Sequence, residues 1–234
     1  MKILITGGAS GLGEAITRYF AKDEGNQVYF TYCKSADKAG LLRKEFGNTH
    51  ALRCDFADTE MLNALCGQIG QINPDLLINN AIPQLVINHF HKEAPETLLN
   101  GFSQNVMPVI KLTQKCLLGF RKQKSGRIIN ILSAVLSSKP LIGWSQYTAE
   151  KSYLHAMSNS WAVENAAFNI TSNCISPSFM LTELNSVTDE RVVEEIRLRS
   201  PLKRLLTVEE VAECAGFLAT CTPHLNGVNL VLNG

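Results

Sequence analysis

A chain of 234 residues with 45% hydrophobic content can bury one substantial core, and a single domain over residues 1–234 is the expectation. Its formal net charge of +1, with both signs interspersed, excludes the electrostatic footprint of a nucleic-acid or anionic-membrane binder and points to small-molecule partners. Residues 3–5 form an apolar run that starts at once and ends in glycines, leaving no place for a secretory leader, and no apolar run nears the ~20 residues of a membrane helix, so a soluble, cytoplasmic protein is expected.

Along the chain, short β-rich apolar runs read as seven strands, over residues 2–6, 27–32, 50–53, 76–79, 127–132, 170–175 and 228–232. The segments between them carry apolar residues at the helical period, as in Ala15-Ile16-Tyr19-Phe20 and Val211-Ala215-Leu218. Strands alternating with helices imply right-handed parallel crossovers, hence an α/β fold with a Rossmann-type, doubly wound, seven-stranded parallel sheet. The ligand crevice of such a sheet lies outside the carboxyl ends of its strands, so chemistry-bearing residues are expected just after strands. Cys33, Cys54, Cys66, Cys116, Cys174, Cys214 and Cys221 include no C-x-x-C pair and no histidine at zinc-ligand spacing; they read as reduced thiols, most of them small buried hydrophobes, with no metal site.

The first strand runs into Thr6-Gly7-Gly8-Ala9-Ser10-Gly11-Leu12-Gly13, which opens a helix. Glycines let a backbone turn tightly and approach a ligand closely, and the N–H groups at a helix start receive a pyrophosphate. Gly7, Ala9, Ser10, Leu12 and Gly13 are therefore candidate dinucleotide contacts. At the end of the second strand an acidic residue would accept the adenosine ribose hydroxyls, whereas a basic one favours a 2′-phosphate. The segment here is Thr31-Tyr32-Cys33-Lys34-Ser35, with no carboxylate before Asp37. Cys33, Lys34 and Ser35 thus line the expected adenosine end, and NADP(H) is favoured over NAD(H).

Tyr147 and Lys151 stand at i and i+4 on a segment running to about Phe168 that reads as one long helix, so their side chains share a face. A free phenol has a pKa of about 10 and needs a stabilised anion to exchange protons near neutrality. A nearby ammonium and an oxidised nicotinamide are expected to lower it by about two to three units. Ser133 follows the apolar fifth strand and should emerge at its carboxyl edge.

The spacing T-G-x-x-x-G-x-G is followed in order by Asp55, Asn79-Asn80-Ala81, Asn105 inside the next long helix, Ser133, Tyr147-Thr148-Ala149-Glu150-Lys151, and Pro177-Ser178 with Thr182. Over essentially the whole chain this resembles the short-chain dehydrogenase/reductase family, and within it the 3-oxoacyl-acyl-carrier-protein reductases. The resemblance implies a tetrad of Asn105, Ser133, Tyr147 and Lys151. Ser133 would bind the substrate carbonyl, Tyr147 pass the proton, Lys151 bind the nicotinamide ribose, and Asn105 hold a water linking Lys151 to solvent. It also implies that Asp55 accepts from the adenine amino group beside the Phe56 backbone, and that Asn80, Ala81, Pro177, Met180 and Thr182 complete the cofactor contacts.

Three departures stand out: Ile82 and Ser178 occupy places where the family usually has glycine, and Ser10 stands where many NADPH-using relatives carry a basic residue. Residues 85–87, 141–144 and 179–181 are apolar segments near the catalytic positions and suit an uncharged ketone or an acyl chain, so a 3-oxoacyl thioester is the leading substrate class. Arg121, Lys122 and Lys124 form a basic group that could meet an acidic acyl carrier protein. The expectation is a carbonyl reductase using NADPH, a homotetramer or homodimer by resemblance. The alternatives are an NAD-dependent alcohol dehydrogenase and a cofactor-sensing regulator without catalysis.

Overall fold

In a computed structural model of the protein, which describes residues 1–139, 141–185 and 188–234, one parallel sheet is built from β1 (Lys2–Ile5), β2 (Gln27–Tyr32), β3 (Thr49–Arg53), β4 (Leu76–Asn79), β5 (Gly126–Ile131), β6 (Ile170–Pro177) and β7 (Asn229–Leu232). The strand order is β3-β2-β1-β4-β5-β6-β7, and every pairing is parallel. The order reverses between β1 and β4, so the crevice at their carboxyl ends is the place for a ligand. All residues of β4 and β6 are buried, as parallel strands covered on both faces require.

Helices α1 (Gly11–Ala21), α2 (Ala36–Glu45) and α8 (Val208–Thr220) cover one face, where Ile16, Phe20, Leu42, Val211, Ala215 and Leu218 pack on Ile3, Ile5 and Phe30. Helices α3 (Thr59–Ile72), α5 (Met107–Gln123) and α6 (Ser145–Asn165) cover the other, with Leu65, Ile69, Leu112, Phe120 and Trp161 packed on Leu4, Leu77 and Ile128. Helices α4 (Pro95–Asn105) and α7 (Glu190–Arg199) complete the set among the described residues. None of these helices is long and apolar enough to cross a membrane.

The strands sit where the apolar runs place them, with ends shifted by a residue or two. The helical reading needs two corrections. Asn105 is not inside a long helix: α4 stops at Asn105 and α5 starts at Met107. Pro108 has no N–H for the Gln104 carbonyl, and its ring crowds the preceding turn, so the helix breaks there. The segment after Tyr147 is α-helical only to Asn165; a 3-10 turn, Ala166–Phe168, follows and ends on Asn169 at φ 56°, a left-handed conformation that asparagine tolerates.

Candidate active site

The turn after β1 is built for close approach. Gly7 and Gly11 have φ values of 65° and 51°. A Cβ on Gly13 would stand 2.0 Å from the Gly7 carbonyl oxygen and 2.6 Å from Asn80 Nδ2. The turn is held from behind: Gly7 N donates to Thr31 Oγ1 (2.9 Å) and Gly8 N to the Thr31 carbonyl (2.9 Å). Asn80 Nδ2 donates to the Thr6 and Gly7 carbonyls (3.0 and 3.3 Å), while Asn80 N and Ala81 N both donate to Thr6 Oγ1 (2.9 and 3.0 Å). Ala9 and Leu12 send their side chains into the core, so these two positions offer a ligand only backbone. Ser10 caps α1 in extended conformation without a side-chain bond to the helix, which leaves the first-turn N–H groups facing the crevice.

At the adenosine end, Cys33 and Lys34 are exposed just past β2, and Ser35 is the N-cap of α2. The Cys33 thiol and Asp55 are neighbours where the paired strands β2 and β3 end. Burial and the Asp55 carboxylate push that thiol above its ordinary value. Asp55 Oδ1 accepts from Ala57 N (2.9 Å), whereas the cap of α3 is Asp58, which accepts from Glu60 N and Met61 N (2.9 and 3.1 Å). Phe56 is buried in the core beneath them.

Ser133, Tyr147 and Lys151 meet at the carboxyl edge of β5. Ser133 directly follows the strand and caps a short 3-10 turn, Ala134–Ser137, accepting from Val135 N (3.4 Å). Its hydroxyl also stands near enough to the Tyr147 phenol to act on the phenol's titration. Lys151 Nζ lies 5.7 Å from the Tyr147 ring centroid and donates to the Ile131 carbonyl (2.8 Å). The chain's own groups do not by themselves supply the lowering expected with an oxidised nicotinamide beside Tyr147. Burial holds the phenol above its ordinary value, against which the nearby Ser133 hydroxyl acts, and the Glu150 carboxylate pushes it further up. Burial pulls Lys151 down to about 8, a fall that Glu150 opposes.

Asn105 reaches the same site from the α4–α5 break. Its Nδ2 donates to the Gln84 carbonyl and to Glu150 Oε2 (2.8 Å each), and its Oδ1 accepts from Gln84 N (3.1 Å). A cavity of about 20 Å³, room for a single water, lies among Asn79, Asn105, Asn130, Tyr147, Glu150 and Lys151, and Ile82 forms part of its wall. Asn79 Oδ1 is buried with no hydrogen-bond partner among the described residues. Glu150, Gln146 and Gln84 were not singled out by sequence reasoning. The only signal was a carboxylate and an amide at i and i+4, Gln146 and Glu150, on the face of α6 that continues into Leu154.

The loop after β6 closes over the glycine turn. A Cβ on Gly11 would stand 3.5 Å from Thr182 Cβ, and Lys38 of α2 pairs with Glu183. Thr182 N and Oγ1 donate to Asn185 Oδ1 (2.8 and 3.3 Å), and Met180 packs on the core. Pro177 ends β6, and Ser178 N is spent on the Leu232 carbonyl (2.8 Å). Near Tyr147, Trp144 stands edge-on to its ring (centroids 5.2 Å apart, 87°), and Gly143 accepts from Asn88 N (3.0 Å) where Ile87 crosses. Ile87, Leu141, Ile142 and Leu181 are exposed. The basic group does not join this site. Arg121 lies in the last turn of α5, its guanidinium 4.1 Å from the Phe168 ring centroid, beside the amino ends of β5 and β6 and so on the opposite edge of the sheet.

The sequence matches the short chain dehydrogenase family over residues 1–192. It is 32% identical over 224 residues to acetoacetyl-CoA reductase of Rhizobium meliloti, covering 93% of this chain and 90% of the relative. It is 27% identical over 243 residues to the 3-oxoacyl-acyl-carrier-protein reductase of Staphylococcus aureus, covering 99% and 96%. Among solved structures, a double mutant of a Serratia marcescens short-chain dehydrogenase/reductase superposes with a TM-score of 0.89 at 27% identity, covering all of this chain and 96% of that one.

Proposed function

This chain belongs to the short-chain dehydrogenase/reductase family and is an oxidoreductase; on that premise we propose that it reduces an uncharged ketone, with a 3-oxoacyl thioester as the leading substrate class, using NADPH. The observation that carries the reading is the contact of Ser133 with Tyr147 beside Lys151, at the carboxyl end of β5.

The cradle fits a dinucleotide: Gly7 and Gly11 take positive φ, a Cβ on Gly13 would strike the Gly7 backbone, and the N-terminus of α1 opens toward the crevice. Gly7 to Gly13 would hold the pyrophosphate, Lys34 and Ser35 the 2′-phosphate, Asp55 the adenine, and Lys151 and Thr182 the nicotinamide end. When bound, the dinucleotide supplies the hydride that the substrate carbon receives. Ser133 would donate to the substrate oxygen. Tyr147, kept a neutral phenol by burial, gives its proton to that oxygen as negative charge develops there. The resulting phenolate recovers a proton from Lys151, and Lys151 from solvent through the polar cavity beside it.

The exposed apolar rim of Ile87, Leu141, Ile142 and Leu181 supports a substrate with an aliphatic arm. So do the names of the two relatives, both reductases of 3-oxoacyl thioesters. Carrier docking through Arg121 is no part of the proposal, since that group lies on the far edge. The test is oxidation of NADPH and NADH by purified protein against a carbonyl panel containing acetoacetyl-CoA, longer 3-oxoacyl-CoA thioesters and simple ketones. NADPH-dependent turnover greatest on the thioesters is expected. A preference for NADH would favour the alcohol-dehydrogenase reading, and binding of NADPH without turnover would favour the regulator.

A further inference from the structure

We propose that Glu150 is a positioning residue of the proton-transfer site: a buried carboxylate that clamps Asn105 at the α4–α5 break and supplies the negative charge that keeps the neighbouring Lys151 side chain an ammonium. The proposal rests on Tyr147 and Lys151 being the proton-transfer pair.

Glu150 is 6% exposed, and both its oxygens are engaged: Oε2 accepts from Asn105 Nδ2 (2.8 Å) and Oε1 from Gln146 Nε2 (2.9 Å). A carboxylate this deep is costly unless its oxygens are satisfied and a counter-charge lies near. The chain makes room for it. On α4, a Cβ at Gly101 would stand 1.5 Å from Gln146 Nε2 and 2.7 Å from Glu150 Oε1, so any side chain there would displace the amide and carboxylate from where they now lie. Asn105 carries the link onward to both backbone groups of Gln84, joining α6, α4 and the loop after β4 through one amide.

Glu150 and Lys151 are sequence neighbours, pointing about 100° apart on the helix, so the carboxylate acts across the cavity they share. Among the described residues lining that cavity, Glu150 is the only carboxylate and Lys151 the only cation. The groups facing Lys151 are Tyr147 and Glu150 from α6, the Cys174 thiol from β6, the Ile131 carbonyl from β5, and the uncharged Asn105 from α4. Burial disfavours the ammonium form of this lysine, and of its neighbours Glu150 opposes that most strongly. The same charge favours the neutral form of Tyr147, the form a proton donor needs.

Glu150→Gln separates charge from architecture. The introduced amide still accepts from Asn105, and Gln146, whose Oε1 has no partner among the described residues, can turn its own amide to receive the new donor. The Lys151 Nζ titration, followed by nitrogen NMR and assigned with Lys151→Arg, should move to lower pH in E150Q by on the order of one unit. The upper limb of the kcat–pH profile should move with it, while the KM for NADPH stays within about twofold. Glu150→Asp, which keeps the charge, should restore most of the midpoint, and it serves as the test variant should E150Q fail to fold: a midpoint in E150D as low as that of a neutral substitution, Glu150→Ala, would overturn the proposal. An unchanged Lys151 midpoint in folded E150Q would overturn it as well. The titration needs no turnover, so an inactive wild type would refute the catalytic reading while leaving this measurement able to decide the role of Glu150.

Discussion

Asn80 and Thr6 are joined twice, Asn80 N to Thr6 Oγ1 at 2.9 Å and Asn80 Nδ2 to the Thr6 carbonyl at 3.0 Å, which ties the end of β4 to the glycine turn across the switch point of the sheet. The asparagine thereby shapes the cradle from behind, through Thr6 and Gly7. Asn80→Ala removes the side-chain bonds to Thr6 and Gly7 at a cost of about 1 kcal/mol each at most. Dinucleotide affinity, measured by calorimetry, should fall about tenfold or more, with secondary structure unchanged by circular dichroism.

Lys151, pulled down to about 8 by burial, sets a pH limit on carbonyl reduction. The rate should be level below that value and fall about tenfold per pH unit above it, as the ammonium is lost. Stability runs the other way. Between about 8 and the ordinary 10.5 the unfolded chain binds the extra proton, so the contribution of this lysine to stability rises with pH through that window. Denaturant titrations of wild type and Lys151→Met at several pH values should therefore show wild type gaining on the variant from pH 8 to 10.5.

Lys34 is exposed at the mouth of the adenosine end, beside the Ser35 N-cap of α2. Replacing it with aspartate puts a carboxylate where a 2′-phosphate would sit, and there it would accept from the ribose hydroxyls. In Lys34→Asp, kcat/KM for NADPH should drop by about tenfold or more while that for NADH holds or rises. An unchanged ratio would remove Lys34 from the cofactor site.

Helix α8 starts with a capping box: Glu210 N donates to Thr207 Oγ1 (3.2 Å) and Thr207 N to Glu210 Oε2 (2.9 Å). Thr207→Ala loses the first of these and should cost about 1 kcal/mol in chemical denaturation. Since α8 packs on α1 far from Tyr147, kcat should stay at the wild-type value.

The sheet was legible because its strands are continuous apolar runs and its ligand motifs follow them, a pattern that depends on local chemistry alone. The same locality explains the gaps. The helical period passes smoothly through Val106, and only the missing N–H of Pro108 reveals the break that aims Asn105. Glu150, beside a lysine, has the sequence look of a solvated helix face; its burial is decided by α4, whose Gly101 lies 49 residues away. The direction of the Tyr147 shift could not be read either, since a lysine at i+4 signals proximity, whereas the phenol's state depends on how deeply the fold buries it. The position of Arg121 turned on the direction in which α5 runs, which carries its basic end to the far edge of the sheet.

Tyr147→Phe tests the central claim most directly, since it deletes the proton donor and leaves the edge-on contact with Trp144 in place. Hydride transfer from NADPH to acetoacetyl-CoA, followed in single turnovers by the loss of NADPH absorbance, should slow by about a thousandfold or more, with NADPH affinity within a few-fold of wild type. Transfer at a rate near that of wild type would contradict the assignment of Tyr147 as the donor, and with it the account of this site.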